Sequence, residues 1–365
     1  MPFQRIVVGV DFSSGSLNAV RWLAGTFAPG ARIFVVHVIA QPSIPPFLRS
    51  HVAADTNEQE AALYPGLRAF AGFAGGDPSD AVIAHGNPSV ELARIAGDVG
   101  ADLVCVGRTR RRRGSGRFGA TTPQRLLAHT DVPMLIVPES AGVVPGAVLA
   151  AVSDGRDAVE TLDAGAALAE CWNVRLDALH ALEPEVIAFA RGLSSVTDGT
   201  EDENVPAWDA TPRFEAGAVA TARSLDDARL CALAHEWLAD RLAMRAASEV
   251  RQAVARIGDA GEEVIAHAAR NGIGLIVAGR RVRHHATEIA PGAGGVGSTT
   301  RLITWATSCP VLVLGSGAPD RQPGAARPTT RDGRETGPRL LDGARSGARS
   351  FRRSLVHPPN GDDAA

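Results

Sequence analysis

Short runs of Val, Ile and Leu alternate along the chain with longer stretches whose apolar residues recur at three- and four-residue spacing. The runs Ile6–Val10, Ile33–Val38, Leu103–Val106 and Met134–Val137 are apolar at consecutive positions, without the in–out alternation of a half-exposed strand. Such runs predict strands of a parallel sheet covered on both faces by helices. Between them, Leu17, Val20, Leu23 and Ala24 fall on one helical face behind a capping serine at 13 or 14, and Val90, Leu92, Ala93 and Ile95 follow a Pro88-Ser89 helix start.

The pattern occurs twice. VLAAVSD (Val148–Asp154) and LDALHAL (Leu176–Leu182) repeat the first two strands, GDAGEEVIAHAARNGIGLIVAGR (258–280) overlies GNPSVELARIAGDVGADLVCVGR (86–108), and TSCPVLVLG (307–315) overlies TDVPMLIVP (130–138). Three blocks kept in order show an internal duplication. Their offsets grow from 143 (His37 to His180) through 172 (Gly86 to Gly258) to 177 (Thr130 to Thr307), so the second copy carries insertions. Each copy therefore predicts a doubly wound α/β domain, whose ligand crevice lies beyond the carboxyl ends of its strands. The expected layout is a first domain over 1–140, a second over 146–315 with an insertion around 183–225, and a disordered Pro/Gly/Arg-rich tail over 316–365. A long helix is expected from about 226 to 257. His37 and His180 are expected to close corresponding strands, and the final strands of the two copies to pair with each other, since an apolar strand left as an open edge invites aggregation.

Composition narrows the chemistry. The chain has 365 residues, 45% of them hydrophobic, and a formal net charge of −3, which gives no general case for nucleic acid or an anionic membrane as partner. All 37 basic residues are arginine; a lysine Schiff base and a phosphate-loop lysine are both excluded. Cys105 lies in an apolar run and reads as a buried, inert thiol. There is neither a secretory pattern at the N-terminus nor an apolar stretch of membrane-spanning length, so a cytoplasmic protein is expected.

Taken together, these residues resemble the universal stress protein (UspA) superfamily. The resemblance rests on a first strand ending in Asp11, a second ending in His37-Val38, the helix start Gly86-Asn87-Pro88, a strand running into a Gly-x-x-Gly, x9, Gly-Ser/Thr loop, and a last strand after Pro133. It implies a tandem pseudo-dimer, open to further homodimerisation, with one adenine-nucleotide site per domain, for ATP or AMP, with Mg accompanying ATP. By that resemblance Asp11 and Val38 meet the nucleoside, and Gly107, Arg110, Gly119, Ala120, Thr121 and Thr122 surround the phosphates. A second site would use Gly279, Gly297, Ser298 and Thr299.

Each copy departs from the motif differently. In the first, Arg110 replaces the second glycine and Ala120-Thr121 the closing Gly-Ser/Thr; Arg110–Arg113 reads either as a solvated basic run or as a set of phosphate partners. In the second, Gly297-Ser298 is intact, but Val282 replaces a glycine and Ser153 the strand-end Asp, so that site is read as degenerate. Two literal Gly-x-Gly-x-x-Gly strings (114–119 and 292–297) follow the fourth strand of each copy rather than the first, so neither a flavin nor a nicotinamide is expected. His284, His285 and Glu288 read as solvated loop residues, not metal ligands, and no catalytic residue is assigned. The leading expectation is a nucleotide-binding stress-response module with an unidentified protein partner. The alternative is a nucleotide-free interaction scaffold.

Overall fold

The computed structural model describes residues 3–27, 30–40, 49–109, 122–142, 146–153, 157–184, 187–188, 226–245, 251–280 and 297–315. The Arg110–Arg113 run, both Gly-x-Gly-x-x-Gly strings up to Gly297, the acidic stretch of the insertion, His284-His285 and the 316–365 tail lie outside the described residues.

The first copy contributes β1 (Arg5–Gly9), α1 (Ser14–Thr26), β2 (Arg32–Ala40), α2 (Arg49–Phe73), β3 (Ala81–Gly86), α3 (Pro88–Asp98), β4 (Leu103–Arg108), α4 (Thr122–His129) and β5 (Met134–Pro138). The second contributes β6 (Ala147–Ala151), α5 (Asp157–Trp172), β7 (Arg175–Leu182), α6 (Asp227–Arg245), β8 (Arg251–Ile257), α7 (Ala260–Arg270), β9 (Leu275–Ala278), α8 (Ser298–Ala306) and β10 (Val311–Val313). The serine cap foreseen in the sequence forms, Ser13 accepting from the Ser16 amide, and the helix that opens on Pro88 is capped by Asn87.

Among the described residues, ten strands form one sheet in the order β3-β2-β1-β4-β5-β10-β9-β6-β7-β8. Every pairing is parallel except the central one, where β10 runs antiparallel to β5 with Leu312 opposite Leu135. The two last strands thus join the copies edge to edge, and the apolar edges cover each other.

Alternating strand residues feed two cores, one on each face. Ile6, Val8 and Ile33 face α1 and α2, and Val148 and Ala150 continue that layer under α5 and α6 through Leu162, Leu168 and Leu238. Val7, Val36 and Ile136 face α3 and α4, and Leu149 and Ile276 continue under α7 and α8 through Val264 and Ile303. Near the junction, Trp22 of α1 packs edge-on against Trp172 of α5 with centroids 5.8 Å apart, and the Trp172 indole N–H donates to the Thr26 carbonyl at 3.4 Å.

Two expectations are corrected. The helix after the insertion ends at Arg245, and 251–257 is the strand β8, pairing with β7 from Leu176–Arg251 to Leu182–Ile257. Its sequence, RQAVARI, is rich in helix formers; the open edge of β7 overrides that local preference. Nor do His37 and His180 end their strands. β2 runs on to Ala40 and β7 to Leu182, because β3 and β8 continue to offer partners, as in Ala40–Gly86 and Leu182–Ile257.

Candidate functional site

The register pairs Gly9 with Val36 and with Val106, so Asp11, Val38 and Gly107, one or two residues further on, share one rim of the sheet. β1 ends in a sharp turn at Phe12, which holds a left-handed φ of 59°. The turn returns Ser13 onto Asp11: the Ser13 hydroxyl donates to Asp11 Oδ1 at 2.5 Å and the Ser13 amide at 3.0 Å. Partial burial works to raise the Asp11 pKa, but the hydrogen bonds from Ser13, with a smaller contribution from Ser16, together outweigh it and hold the carboxyl below its ordinary value. The residue remains exposed at the rim.

His37 explains the histidine at the second strand. A carbonyl oxygen can only accept, so His37 Nδ1–H donates to Val10 O at 2.7 Å and pins β2 to the turn; His180 does the same to Val152 O at 2.9 Å in the second copy. Each ring also meets an aromatic partner, Phe12 over His37 at 5.0 Å and Trp237 over His180 at 5.2 Å. These histidines are structural fasteners of the rim.

The glycines serve packing as well. A Cβ on Gly107 would lie 2.2 Å from the carbonyl carbon of Gly15, so β4 and the start of α1 touch backbone to backbone. In the second copy the residue at the Gly15 position is Asp157. A Cβ on Gly279 would lie 1.9 Å from Asp157 Oδ2, while Asp157 Oδ1 accepts from the Ser153 hydroxyl at 2.5 Å. Ser153 itself stands where Asp11 stands, so the carboxylate has moved four residues along the chain.

The second rim encloses a cavity of about 120 Å³, lined by Ser153, Asp157, His180, Glu183, Gly279 and Thr299, among others. Thr300 Oγ1–H donates to the Gly279 carbonyl at 3.0 Å and ties α8 to β9. α8 begins at Ser298 with Gly297 as its N-cap, and no side chain caps it. The structure therefore assembles Gly279, Gly297, Ser298 and Thr299 at one rim, and Asp11, Val38 and Gly107 at the other. Thr122 opens α4 and is exposed. Arg110, Gly119, Ala120 and Thr121 lie outside the described residues.

Three residues were not singled out from sequence. Arg108 and Arg280, each directly after the rim glycine, donate into the opposite copy: Arg108 to the carbonyls of Trp305 and Thr307, Arg280 to that of Thr130. The repeated Gly-Arg pair was the available signal. Asp157 is the third, visible only once the strand ends are aligned. Among the described residues, no three His, Cys, Asp or Glu side chains are grouped to hold a metal ion, and no helix is long and apolar enough to cross a membrane.

Comparison with known proteins gives the same two-part division. The model of the universal stress protein family matches residues 2–138 and again 146–315. A universal stress protein from Archaeoglobus fulgidus superposes with a TM-score of 0.55 at 16% identity, covering 86% of this chain and 98% of its own; that likeness speaks for the fold. Shorter structures match a single copy. A universal stress protein family protein from Arabidopsis thaliana with AMP bound has a TM-score of 0.27 and 17% identity over 37% of this chain and 91% of its own. A universal stress protein in complex with cAMP has a TM-score of 0.29 and 23% identity over 38% and 99%. No curated protein sequence matches the chain at a significant level.

Proposed function

The chain belongs to the universal stress protein family, and from that premise we propose that it is a tandem, non-catalytic stress-response module that binds an adenine nucleotide, ATP or AMP, at the rim of the first copy. The observation that supports this reading most is Asp11. Its carboxylate is exposed at the ends of β1 and β2 and held below its ordinary pKa by Ser13. A carboxylate so placed is a pure acceptor, suited to the hydroxyls of a ribose.

The residues of this rim fit a nucleoside better than they fit a whole nucleotide. Asp11 would receive ribose hydroxyls, and the backbone at Val38 would meet the base edge. α4, opening at Thr122, would present its N-terminal amides to phosphate. Gly107 has a different part: its missing side chain is already taken up by Gly15. Arg110 and its neighbours would supply phosphate contacts in place of a glycine loop. A triphosphate would bring Mg with it.

The test is whether nucleotide accompanies the protein through purification. Absorbance ratio and chromatography of the supernatant after denaturation should yield an adenine nucleotide in about molar ratio to the chain. Recovery of no nucleotide, together with no binding of added ATP or AMP, would favour the alternative reading of a nucleotide-free interaction scaffold.

A further inference from the structure

The turn that closes β1 places a bulky side chain where the backbone disfavours one. Phe12 stands between Asp11 and Ser13 with φ at 59°, a left-handed conformation that is strained for a large residue and that glycine adopts freely. Among the described residues the other non-glycine position with a positive φ is Asn173, and asparagine is a type that tolerates it. An outlier of this kind at the edge of a candidate site points to a side chain whose placement matters.

The turn sets the Phe12 ring over His37 at 5.0 Å and edge-on to Phe70 at 5.5 Å. A Cβ on Gly66 would stand 3.5 Å from Phe12 Cε1, so the ring also rests on α2 at a residue without a side chain. These contacts hold the ring without burying it: Phe12 is 38% exposed. An exposed apolar side chain is ordinary by itself; one kept in a strained conformation beside an exposed carboxylate is not. Asp11 immediately precedes Phe12, and Val38 immediately follows the His37 on which the ring lies. An open aromatic surface therefore adjoins both groups proposed for the nucleoside.

The second copy is built differently at this point. The residue equivalent to Phe12 in the sequence is Asp154, and the ring over His180 comes from α6, as Trp237. The Arg241 guanidinium lies over that ring, 4.1 Å from its centroid. An aromatic ring on the strand-end turn belongs to the first copy.

We infer that Phe12 is a specificity-determining residue of the first crevice, whose ring is the platform on which the base of the ligand stacks. Stacking on an aromatic side chain strengthens binding and tolerates different bases, because every base has a π-face. Asp11 then acts on the sugar and Phe12 on the ring beside it, so the crevice favours a ligand with a planar base over a sugar phosphate alone. This role rests on the reading that the first crevice holds an adenine nucleotide.

The experiment is a calorimetric titration of AMP and of ribose 5-phosphate into the full-length wild type, Phe12→Leu, Phe12→Tyr and Phe12→Gly. Phe12→Leu should weaken AMP at least about fivefold and Phe12→Tyr less than about twofold, since tyrosine keeps the aromatic face. Ribose 5-phosphate should bind wild type and Phe12→Leu alike. The adenine absorbance should fall on binding to wild type and Phe12→Tyr, as stacking requires, and not on binding to Phe12→Leu. Glycine takes this φ without strain, so Phe12→Gly serves where leucine impairs folding and should lose AMP affinity as leucine does. Folded variants without the ring that bind AMP as tightly as wild type would overturn the inference, as would equal losses of AMP and ribose 5-phosphate. A wild type that binds ribose 5-phosphate as tightly as AMP would overturn base stacking and leave a sugar-phosphate site. A wild type that binds neither would overturn both this role and nucleotide binding in the first copy.

Discussion

Arg108 and Arg280 occupy equivalent positions in the two copies and cross the β5–β10 junction in opposite directions, each ending on the carbonyl that closes the other copy's helix. Arg108 reaches Thr307 after α8, and Arg280 reaches Thr130 after α4. A cation at a helix C-terminus meets the negative end of the helix dipole and satisfies carbonyls that have no partner within the helix. β5 and β10 share the short register from Met134–Val313 to Ile136–Val311, and this reciprocal exchange adds to that pairing and to the Trp22–Trp172 contact in joining the halves. Arg280 is the more sequestered member, its side chain 5% exposed. Burial pulls its pKa down against the opposing field of Asp131.

Replacing Arg280 with Ala should therefore cost about 2 kcal/mol, the range for a lost hydrogen bond to a charged group. Arg108→Lys should recover little of the loss in Arg108→Ala, since one planar guanidinium spans two carbonyls and an ammonium is a point donor. Urea unfolding of the three variants gives the comparison; full rescue by lysine would mean that charge alone matters.

A second prediction concerns acid stability. Asp177 is buried in β7. Burial works to raise its pKa, but the bonds from His267 Nε2–H at 2.9 Å and Arg175 Nε–H at 2.7 Å prevail and hold it below the ordinary value. A folded-state pKa below the unfolded one contributes stability above the unfolded value, about 3.9 for Asp, and that contribution is lost as pH falls through the folded value. Asp177→Asn should cost about 3 kcal/mol at neutral pH, the usual result of breaking a buried pair. The variant should also lose less additional stability than wild type on acidification below about pH 4. Denaturant midpoints across that range decide it, and parallel curves for the two proteins would contradict the assignment.

The two rim glycines should respond unequally to alanine. At Gly107 the new methyl would meet the Gly15 backbone, which cannot move without shifting α1; at Gly279 it would meet the end of the Asp157 side chain, which can rotate. Gly107→Ala should cost about 3 kcal/mol and Gly279→Ala about 1 kcal/mol, the two ends of the overpacking range. Thermal unfolding of the pair would show the order; equal losses would argue against the close approach at Gly107.

Much of this was legible in the sequence, and the failures have physical causes. The duplication, the parallel strands and the β5–β10 junction follow from apolar runs such as Met134–Val137, which have no polar face to give to solvent. β8 was not legible, because RQAVARI lacks such a run and becomes a strand only by pairing with β7. His37 and His180 were seen as a repeated pair, but their hydrogen bonds to Val10 and Val152 depend on a turn that no periodicity encodes. The rim glycines were read as room for a ligand, whereas Gly107 gives its room to Gly15. Asp157 was masked by its place, four residues after the position where the aspartate was expected.

The most direct test of the central claim is a calorimetric titration of ATP into wild type and Asp11→Ala. Losing one hydrogen bond to a charged acceptor should weaken ATP by roughly 1–3 kcal/mol, between about fivefold and about 150-fold in affinity. Adenosine should weaken in parallel, because the contact is to the nucleoside. Unchanged affinity in Asp11→Ala, or a wild type that binds neither ligand, would contradict the assignment of the nucleotide to the first copy.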